Sequence, residues 1–138
     1  MSFSSNKPLY AYTQTSASGA MGQSPHGLIS MLFEGAVIAV SSARTSMQLG
    51  LVQQKCEAIS KAIAIIEDGL IASLDLEVGG ELAERLARLY EYMLLRLVEA
   101  NTNNHSAPLE EVGRLLSELA SAWASIGSKA EIPPMEKA

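Results

Sequence analysis

Cysteine, tryptophan and positive charge are scarce in this sequence, and each scarcity limits the class of protein. Cys56 is the only cysteine, so the chain has neither a disulfide framework nor a set of thiolates that could hold a metal. A lone cysteine is typical of proteins in a reducing cytoplasm. Ten lysine and arginine residues face fifteen aspartate and glutamate residues, which gives a formal net charge of -5. A general binding surface for nucleic acid or anionic lipid is therefore not expected.

Long apolar runs are absent as well. No uninterrupted apolar run reaches the roughly 18 residues of a membrane-spanning helix. Residues 1–23 are polar and lack the apolar centre of a secretory signal. At 138 residues the chain has the length of one domain with a sizeable core. We therefore expect a soluble, cytoplasmic protein of one domain, without membrane insertion.

Strict alternation of apolar and polar residues, which would indicate strands, does not persist over any stretch. Apolar residues instead recur at helical spacing between start and stop signals. Ser24 followed by Pro25 favours a helix start, and Gly50 favours a stop. Short connections between such segments predict an all-α fold, an antiparallel four-helix bundle. The predicted helices cover residues 24–50, 51–76, 81–101 and 108–127.

Both ends of the chain differ in composition from the bundle, which is assigned to residues 24–127. Residues 1–23 are rich in Ser, Thr and Gly and predict a flexible N-terminal arm. The apolar cluster of this arm, LYAY, contains Tyr10 and Tyr12. Residues 128–138 include two adjacent prolines and predict a disordered C-terminal tail. An arm of this kind can reach the surface of the bundle.

The second and third predicted helices carry more apolar residues than one core-facing stripe needs. Beside a stripe through Ile59 and Ile66, the second helix has another stripe, rotated by roughly 120° and rich in alanine. The third helix repeats this arrangement beside a stripe through Leu86 and Met93. We call the extra stripes the second apolar stripes. The residues that they offer for a groove are Leu51, Ala58, Ala62, Ile65, Ala72, Ala83, Ala87, Tyr90 and Leu94.

Three interpretations of the second apolar stripes are open. Each helix of a four-helix bundle contacts two neighbours, so a wide apolar arc can belong to the core alone. The small side chains of Ala58, Ala62 and Ala72 favour instead a shallow groove, in which an amphipathic helix lies close to the backbone. The third interpretation is a homodimer, in which the same face serves a structural or regulatory adaptor.

No arrangement of side chains indicates catalysis or a bound cofactor. Neither His26 nor His105 belongs to a Glu-x-x-His pair of the kind that holds metals inside bundles. Cys56 lies on an apolar stripe without a positive neighbour, as expected of an inert thiol. The Gly79–Gly80 pair lacks the spacing of a nucleotide-binding loop. The sequence thus predicts a binding protein with no metal and no cofactor, and not an enzyme.

Four segments that together span nearly the whole chain carry a family resemblance: SPHGLISMLFEGA (24–36), KAIAIIEDGLIASLD (61–75), GGELAERLARLYEYMLLRLVEAN (79–101) and LLSELASAWASI (115–126). In order and spacing they resemble the FliS family, the flagellin-specific export chaperones of bacteria. The resemblance implies a four-helix bundle that binds the C-terminal segment of newly made flagellin in the cytoplasm. It also implies that the bundle prevents premature polymerisation and delivers flagellin to the flagellar type III export gate. The second apolar stripes would then bind an apolar, helix-prone ligand.

The resemblance extends to single positions of the arm and the bundle. AYTQ at 11–14 matches the family's N-terminal tyrosine segment, so the resemblance implies that Tyr12, with Tyr10, caps the empty groove. Leu51 departs from the family's pattern because it lacks the usual capping side chain, which predicts fraying at the start of the second helix. Arg85 stands where many relatives have asparagine, a change that bears on ligand affinity.

Overall fold

A computed structural model describes the backbone of residues 24–131 and the side chains of residues 24–127. Tyr10 and Tyr12 of the predicted cap lie outside the described residues, and so does most of the predicted tail. The described chain is almost wholly helical and contains no strand between residues 24 and 131. The prediction of an all-α fold is therefore confirmed.

Four long helices form the described structure, and a π-helical segment continues the second of them without a break. The elements are α1 (Pro25–Gln48), α2 (Val52–Ala64), the π-helical segment (Ile65–Ile71), α3 (Leu76–Asn103) and α4 (Ala107–Glu131).

Neighbouring helices pack antiparallel, in the order α1, α2, α3, α4 and back to α1. The first turn of α1 meets the end of α4, where the rings of His26 and Trp123 stack. Near the start of α2, Lys55 donates a hydrogen bond to Asn104, which directly follows α3. In each contact the start of one helix meets the C-terminal part of its neighbour, which is the antiparallel arrangement. The predicted four-helix bundle is therefore confirmed.

The start and stop signals of α1 act as the sequence predicts. The Ser24 side chain accepts a hydrogen bond from the Gly27 backbone amide, and Pro25 occupies the first turn. Gly50 has a φ of 73°, a left-handed conformation that glycine adopts at low cost, and the chain reverses there into α2. Leu51 precedes α2 without a side-chain capping bond, as expected from its apolar side chain.

The connection between α2 and α3 differs from the prediction. The π-helical segment ends at Ile71, and α3 begins at Leu76 rather than at Glu81. The cause is Asp75, whose carboxylate accepts hydrogen bonds from the backbone amides of Glu77 and Val78 and so caps α3 five residues early. Gly80 then interrupts α3 with non-helical angles (φ 55°, ψ -130°), so the break predicted at Gly79–Gly80 is present and the helix resumes at Glu81.

The core lies along α1, which contacts both α2 and α4. α1 is also long and apolar enough to cross a membrane by length and composition, a test that core helices pass as well. Its place between two neighbours explains its apolar character. The largest side chains that are fully buried are Ile59, Ile66, Met93, Leu97, Leu109, Leu116, Val40 and Val112.

The small residues of α2 and the π-helical segment serve the contact with α1. Ala62 is 0% exposed, and a Cβ atom added to Gly69 would lie 2.9 Å from Cδ2 of Leu32. Ile65 is also buried, at 6% exposed. Ala62 and Ile65 were predicted to face a ligand, but both lie in the core. The small side chain of Ala62 and the absence of one at Gly69 let α1 approach closely.

This burial predicts opposite outcomes for two matched substitutions in α2. Ala62→Glu would bury an unpaired carboxylate and should lower the free energy of unfolding by about 3 kcal/mol or more. Ala58→Glu makes the same change at a partly exposed position beside Lys61 and should cost about 1 kcal/mol or less. Urea denaturation of both variants measures the difference. Equal stability of the two would contradict the assignment of Ala62 to the core.

Candidate peptide-binding surface

The structure separates the nine groove candidates into buried and accessible residues. In addition to Ala62 and Ile65, Ala83 and Tyr90 are buried, at 5% and 3% exposed. Ala62, Ile65 and Ala83 offer almost no accessible surface in this conformation, whereas Tyr90, although buried, lines an apolar cavity together with Leu86 and Trp123. Their burial follows from the ring of helices, since each helix turns two sides towards neighbours. The accessible candidates are Leu51, Ala58, Ala72, Ala87 and Leu94.

The accessible candidates do not form one continuous groove. Leu51 lies in the α1–α2 connection, and Ala58 lines a depression of about 290 Å³ between α1 and α2, together with Ile38. Ala72 directly follows the π-helical segment. Each of these positions lies on a different part of the surface. Leu51, Ala58 and Ala72 therefore cannot be joined into a single binding surface by this arrangement alone.

Ala87 and Leu94 lie on the side of α3 that turns towards α2. Asn101, seven residues after Leu94, is on nearly the same face of the helix. Its side-chain oxygen accepts a hydrogen bond of 3.3 Å from Sγ of Cys56 in α2. Ala87 and Leu94 are half-buried at this boundary, and Val98 beside them is 51% exposed. Ala87 and Leu94 are thus the two groove candidates that share one face of α3 and remain partly accessible.

A more enclosed apolar site lies where the first turns of α3 face the C-terminal part of α4. We call it the apolar cleft, and its volume is about 240 Å³. It is closed below by side chains of α1 and the π-helical segment. The lining residues are Ile29, Phe33, Leu70, Ser73, Leu74, Leu82, Leu86, Tyr90, Leu119, Ala122, Trp123 and Ile126.

The apolar cleft forms where two apolar stripes continue beyond the buried core. Met93 and Leu97 of α3 are fully buried, but Leu82, on the same stripe, is 67% exposed. On α4, Leu116 is fully buried while Ile126 is 55% exposed. The length of the two stripes is the sequence signal for this cleft, because each stripe extends past the residues that a neighbouring helix covers.

A second depression adjoins the apolar cleft on the side of α1. We call it the α1 hollow; its volume is about 510 Å³, and it is lined by Pro25, His26, Leu28, Ile29, Leu32, Ser73 and Trp123. Ile29, Ser73 and Trp123 line both the hollow and the cleft. The two depressions are therefore neighbours that share a wall, and the start of α1 lies at their edge.

Farther from the apolar cleft, polar side chains form hydrogen bonds between α3 and α4. Glu111 accepts hydrogen bonds of 2.7 Å from the Tyr92 hydroxyl and from Nε of Arg96. Arg96 also donates to Glu99 at 2.8 Å. The bond from Tyr92, followed by that from Arg96, holds the pKa of Glu111 below its ordinary value. The same bond raises the pKa of the Tyr92 hydroxyl.

The geometry does not provide a metal site in residues 24–127. No cluster of three or more His, Cys, Asp or Glu side chains suited to a metal occurs in that part of the chain. Of the histidines, His26 makes a hydrogen bond through Nε2 with the backbone oxygen of Trp123, and His105 is exposed after α3. The arrangement of apolar walls, with polar side chains kept at their margin, suits the binding of an apolar segment.

Comparisons with known proteins agree on one family. The model of the family described as "Flagellar protein FliS" matches residues 8–130. The chain is 51% identical over 121 residues to the flagellar secretion chaperone FliS of Salmonella typhimurium, covering 87% of this chain and 90% of that protein. It is 45% identical over 121 residues to the flagellar secretion chaperone FliSB of Pseudomonas aeruginosa, covering 87% and 95%. The flagellar secretion chaperone FliS of Escherichia coli is 42% identical over 118 residues, covering 85% and 87%.

The lowered pKa of Glu111 predicts an acid-sensitive contact between α3 and α4. A carboxyl with a depressed folded-state pKa stabilises the fold above its ordinary pKa, and this contribution is lost as the pH falls through the folded-state pKa. The difference in Tm between the natural chain and Glu111→Gln should therefore shrink between about pH 6 and about pH 3.

Circular dichroism melts at each pH measure this difference. Glu91→Gln removes an exposed carboxylate of α3 and controls for the change in net charge. A difference for Glu111→Gln that stays constant across the acid range would show that the ion pair and the hydrogen bonds do not contribute to folding.

Proposed function

This chain belongs to the FliS family of flagellar secretion chaperones, and from that premise we propose that it binds the C-terminal helical segment of flagellin in the cytoplasm. The family is one of chaperones, which confirms the prediction that the chain is not an enzyme. The proposed role has two parts. Binding prevents the premature polymerisation of flagellin, and the complex delivers flagellin to a component of the flagellar export gate.

The apolar cleft is the observation that carries this proposal. Its accessible side chains, chiefly Leu82 and Ile126, are apolar, and the chain has no partner for them among its own described residues. An amphipathic helix inserts side chains from one face into such a cleft, at intervals of three and four residues. An apolar, helix-prone segment therefore matches the cleft in chemistry and in shape.

We expect the bound segment to extend beyond the apolar cleft onto the surface around it. The cleft alone, at about 240 Å³, has room for a few side chains but not for a whole helix. Ala87 and Leu94 offer further apolar surface on the α2 side of α3. We therefore keep them, with Leu51, Ala58 and Ala72, as proposed contacts of a segment that wraps around the bundle.

The mechanism is binding without chemistry. A flagellin terminus that packs against other subunits in the filament exposes an apolar stripe while it is free, and covering this stripe prevents association. An interface of about 1,500 Å² is large enough for tight binding. Ordering a disordered segment costs several kcal/mol, which keeps the complex releasable at the export apparatus.

The same exposed side chains allow one alternative, a homodimer of the free protein. Two copies could cover Leu82 and Ile126 of each other in place of a ligand, as the adaptor hypothesis requires. The two functions differ in what flagellin does to the mass of the particle. A chaperone forms a one-to-one complex with flagellin, whereas an adaptor stays a dimer in its presence.

Light scattering with purified flagellin from the same organism tests the proposal. We expect a one-to-one complex with full-length flagellin and no complex with flagellin that lacks its C-terminal segment. Equal binding of both forms would place the recognised segment elsewhere in flagellin. A dimer that ignores both forms would favour the adaptor instead.

Two matched substitutions locate the site on the bundle. Leu82→Asp charges the wall of the apolar cleft, and we expect it to weaken binding of a C-terminal flagellin peptide by about tenfold or more. Leu95→Asp makes the same change elsewhere on α3, at a residue outside the proposed contacts whose side chain is 70% exposed against 67% for Leu82. Binding measured by titration calorimetry should be unchanged in this control. Equal affinity of the two variants would exclude the cleft.

The proposed cap of Tyr10 and Tyr12 leads to a separate prediction. If residues 1–19 compete for the site, their deletion should raise peptide affinity by a factor equal to the reciprocal of the fraction of time that the site is open in the full chain. It should also expose apolar surface and promote self-association. Calorimetry and light scattering of the shortened chain measure both effects. Weaker binding would mean instead that the arm contacts flagellin, and no change in either quantity would exclude a role for the cap.

A further inference from the structure

His26 and Trp123 form a reciprocal pair between the first turn of α1 and the end of α4. Nε2 of His26 and the backbone oxygen of Trp123 are 2.6 Å apart, so Nε2 carries the hydrogen and donates it. In return, Nε1 of Trp123 donates to the backbone oxygen of His26 at 2.9 Å. The two rings stack with centroids 4.5 Å apart and planes inclined by 7°. Two hydrogen bonds and a stacked contact thus fix one indole ring.

Gly127 provides the space for this pair. It is buried, and a Cβ atom at this position would overlap the imidazole ring of His26. The fourth helix was predicted to end at residue 127, but α4 continues past Gly127 to Glu131. Glycine is costly inside a helix, and the ring of His26 gives the physical reason for its presence here.

The pair also determines what the indole presents to a ligand. Trp123 lies in the wall shared by the α1 hollow and the apolar cleft. An indole N–H left unpaired in an apolar site would impose a desolvation cost on any apolar ligand that covered it. Here the N–H is already bonded to His26, so the ring offers its apolar surface. A fixed ring also loses little conformational freedom on binding.

We infer that Trp123 contacts the bound segment where the hollow and the cleft meet, and that His26 is the residue that positions it. This inference rests on the proposed function. His26 thus acts by holding an aromatic ring in position, and not by binding a metal or transferring a proton. The binding surface also extends from the apolar cleft into the α1 hollow, towards the residues from which the N-terminal arm departs.

Two substitutions disturb the pair from opposite sides. His26→Ala removes the imidazole, and Gly127→Ala adds the methyl group that displaces it while leaving both rings in the chain. We expect each to weaken binding of a tryptophan-free C-terminal flagellin peptide by about tenfold or more. His105→Ala, which changes the exposed histidine after α3, should bind as the natural chain does.

Fluorescence provides a readout that a purely structural role would not change. Trp123 is the only tryptophan, so its emission reports on this site alone. In the natural chain the peptide should shift the emission to shorter wavelength, because the ligand covers the ring. In free His26→Ala and Gly127→Ala the emission should lie at longer wavelength than in the natural chain, and the peptide-induced shift should be reduced.

The outcomes separate this inference from the function on which it rests. If the natural chain binds the peptide and both variants bind it equally well, with only their Tm lowered, the positioning role is excluded and the proposed function stands. If peptide binding leaves the emission of Trp123 unchanged, the ring is not a contact of the ligand. If the natural chain does not bind the peptide at all, the proposed function fails and this inference fails with it.

Discussion

The close contact between α1 and α2 is the constraint on which the rest of the structure depends. Ala36 on α1 and Ala62 on α2 are both 0% exposed, and the space opposite Gly69 is filled by Leu32. Helices that approach this closely bury the sides that they turn to each other, so no ligand can enter between them there. α1 also contacts α4, and it thereby becomes the central helix. The apolar cleft lies instead where α3 and α4 face each other.

α3 is held by polar side chains at one end and borders an apolar opening at the other. Nζ of Lys55 donates to the backbone oxygen of Asn101 at 3.3 Å and to the side-chain oxygen of Asn104 at 3.1 Å. A cation at this position also suits the negative end of the α3 dipole. At the opposite end, the stripe of α3 runs out over the apolar cleft, where Leu82 remains exposed. The asymmetry places the apolar cleft at one end of α3 and these polar bonds at the other.

The sequence predicted those parts of the fold that depend on local chemistry. Ser24 as a cap and Gly50 as a stop follow from the conformations that these residues favour, and the structure confirms both. Asp75 was missed because the apolar pattern runs on through it to Leu76, although its carboxylate caps α3. The spacing of apolar residues shows which face of a helix they share, but it does not show which neighbouring helix covers that face. For that reason Ala62 could not be assigned to the α1 contact from periodicity.

The apolar cleft could not be predicted for a related reason. Periodicity shows that Leu82 and Met93 share a face of α3, but the extent to which a neighbouring helix covers that face is a tertiary property. The pairing of His26 with Trp123 is similarly non-local, since 97 positions separate the two residues. Neither residue has a partner within its own helix that would indicate the pair. The one local sign of the pair in the sequence is Gly127. Helix propensity disfavours glycine inside a helix, so its presence there indicates a close neighbour.

Exposed apolar surface makes a free protein prone to association, and part of this surface lies close to the start of α1. Pro25, the first residue of α1, lines the α1 hollow, which shares a wall with the apolar cleft. A segment tethered one residue earlier, at Ser24, would be present at the hollow at an effective concentration on the order of millimolar. Such a tether needs only weak intrinsic affinity to cover the site when no ligand is bound. A ligand of higher affinity would displace it, so the point of attachment at Ser24 is itself suited to a reversible cover.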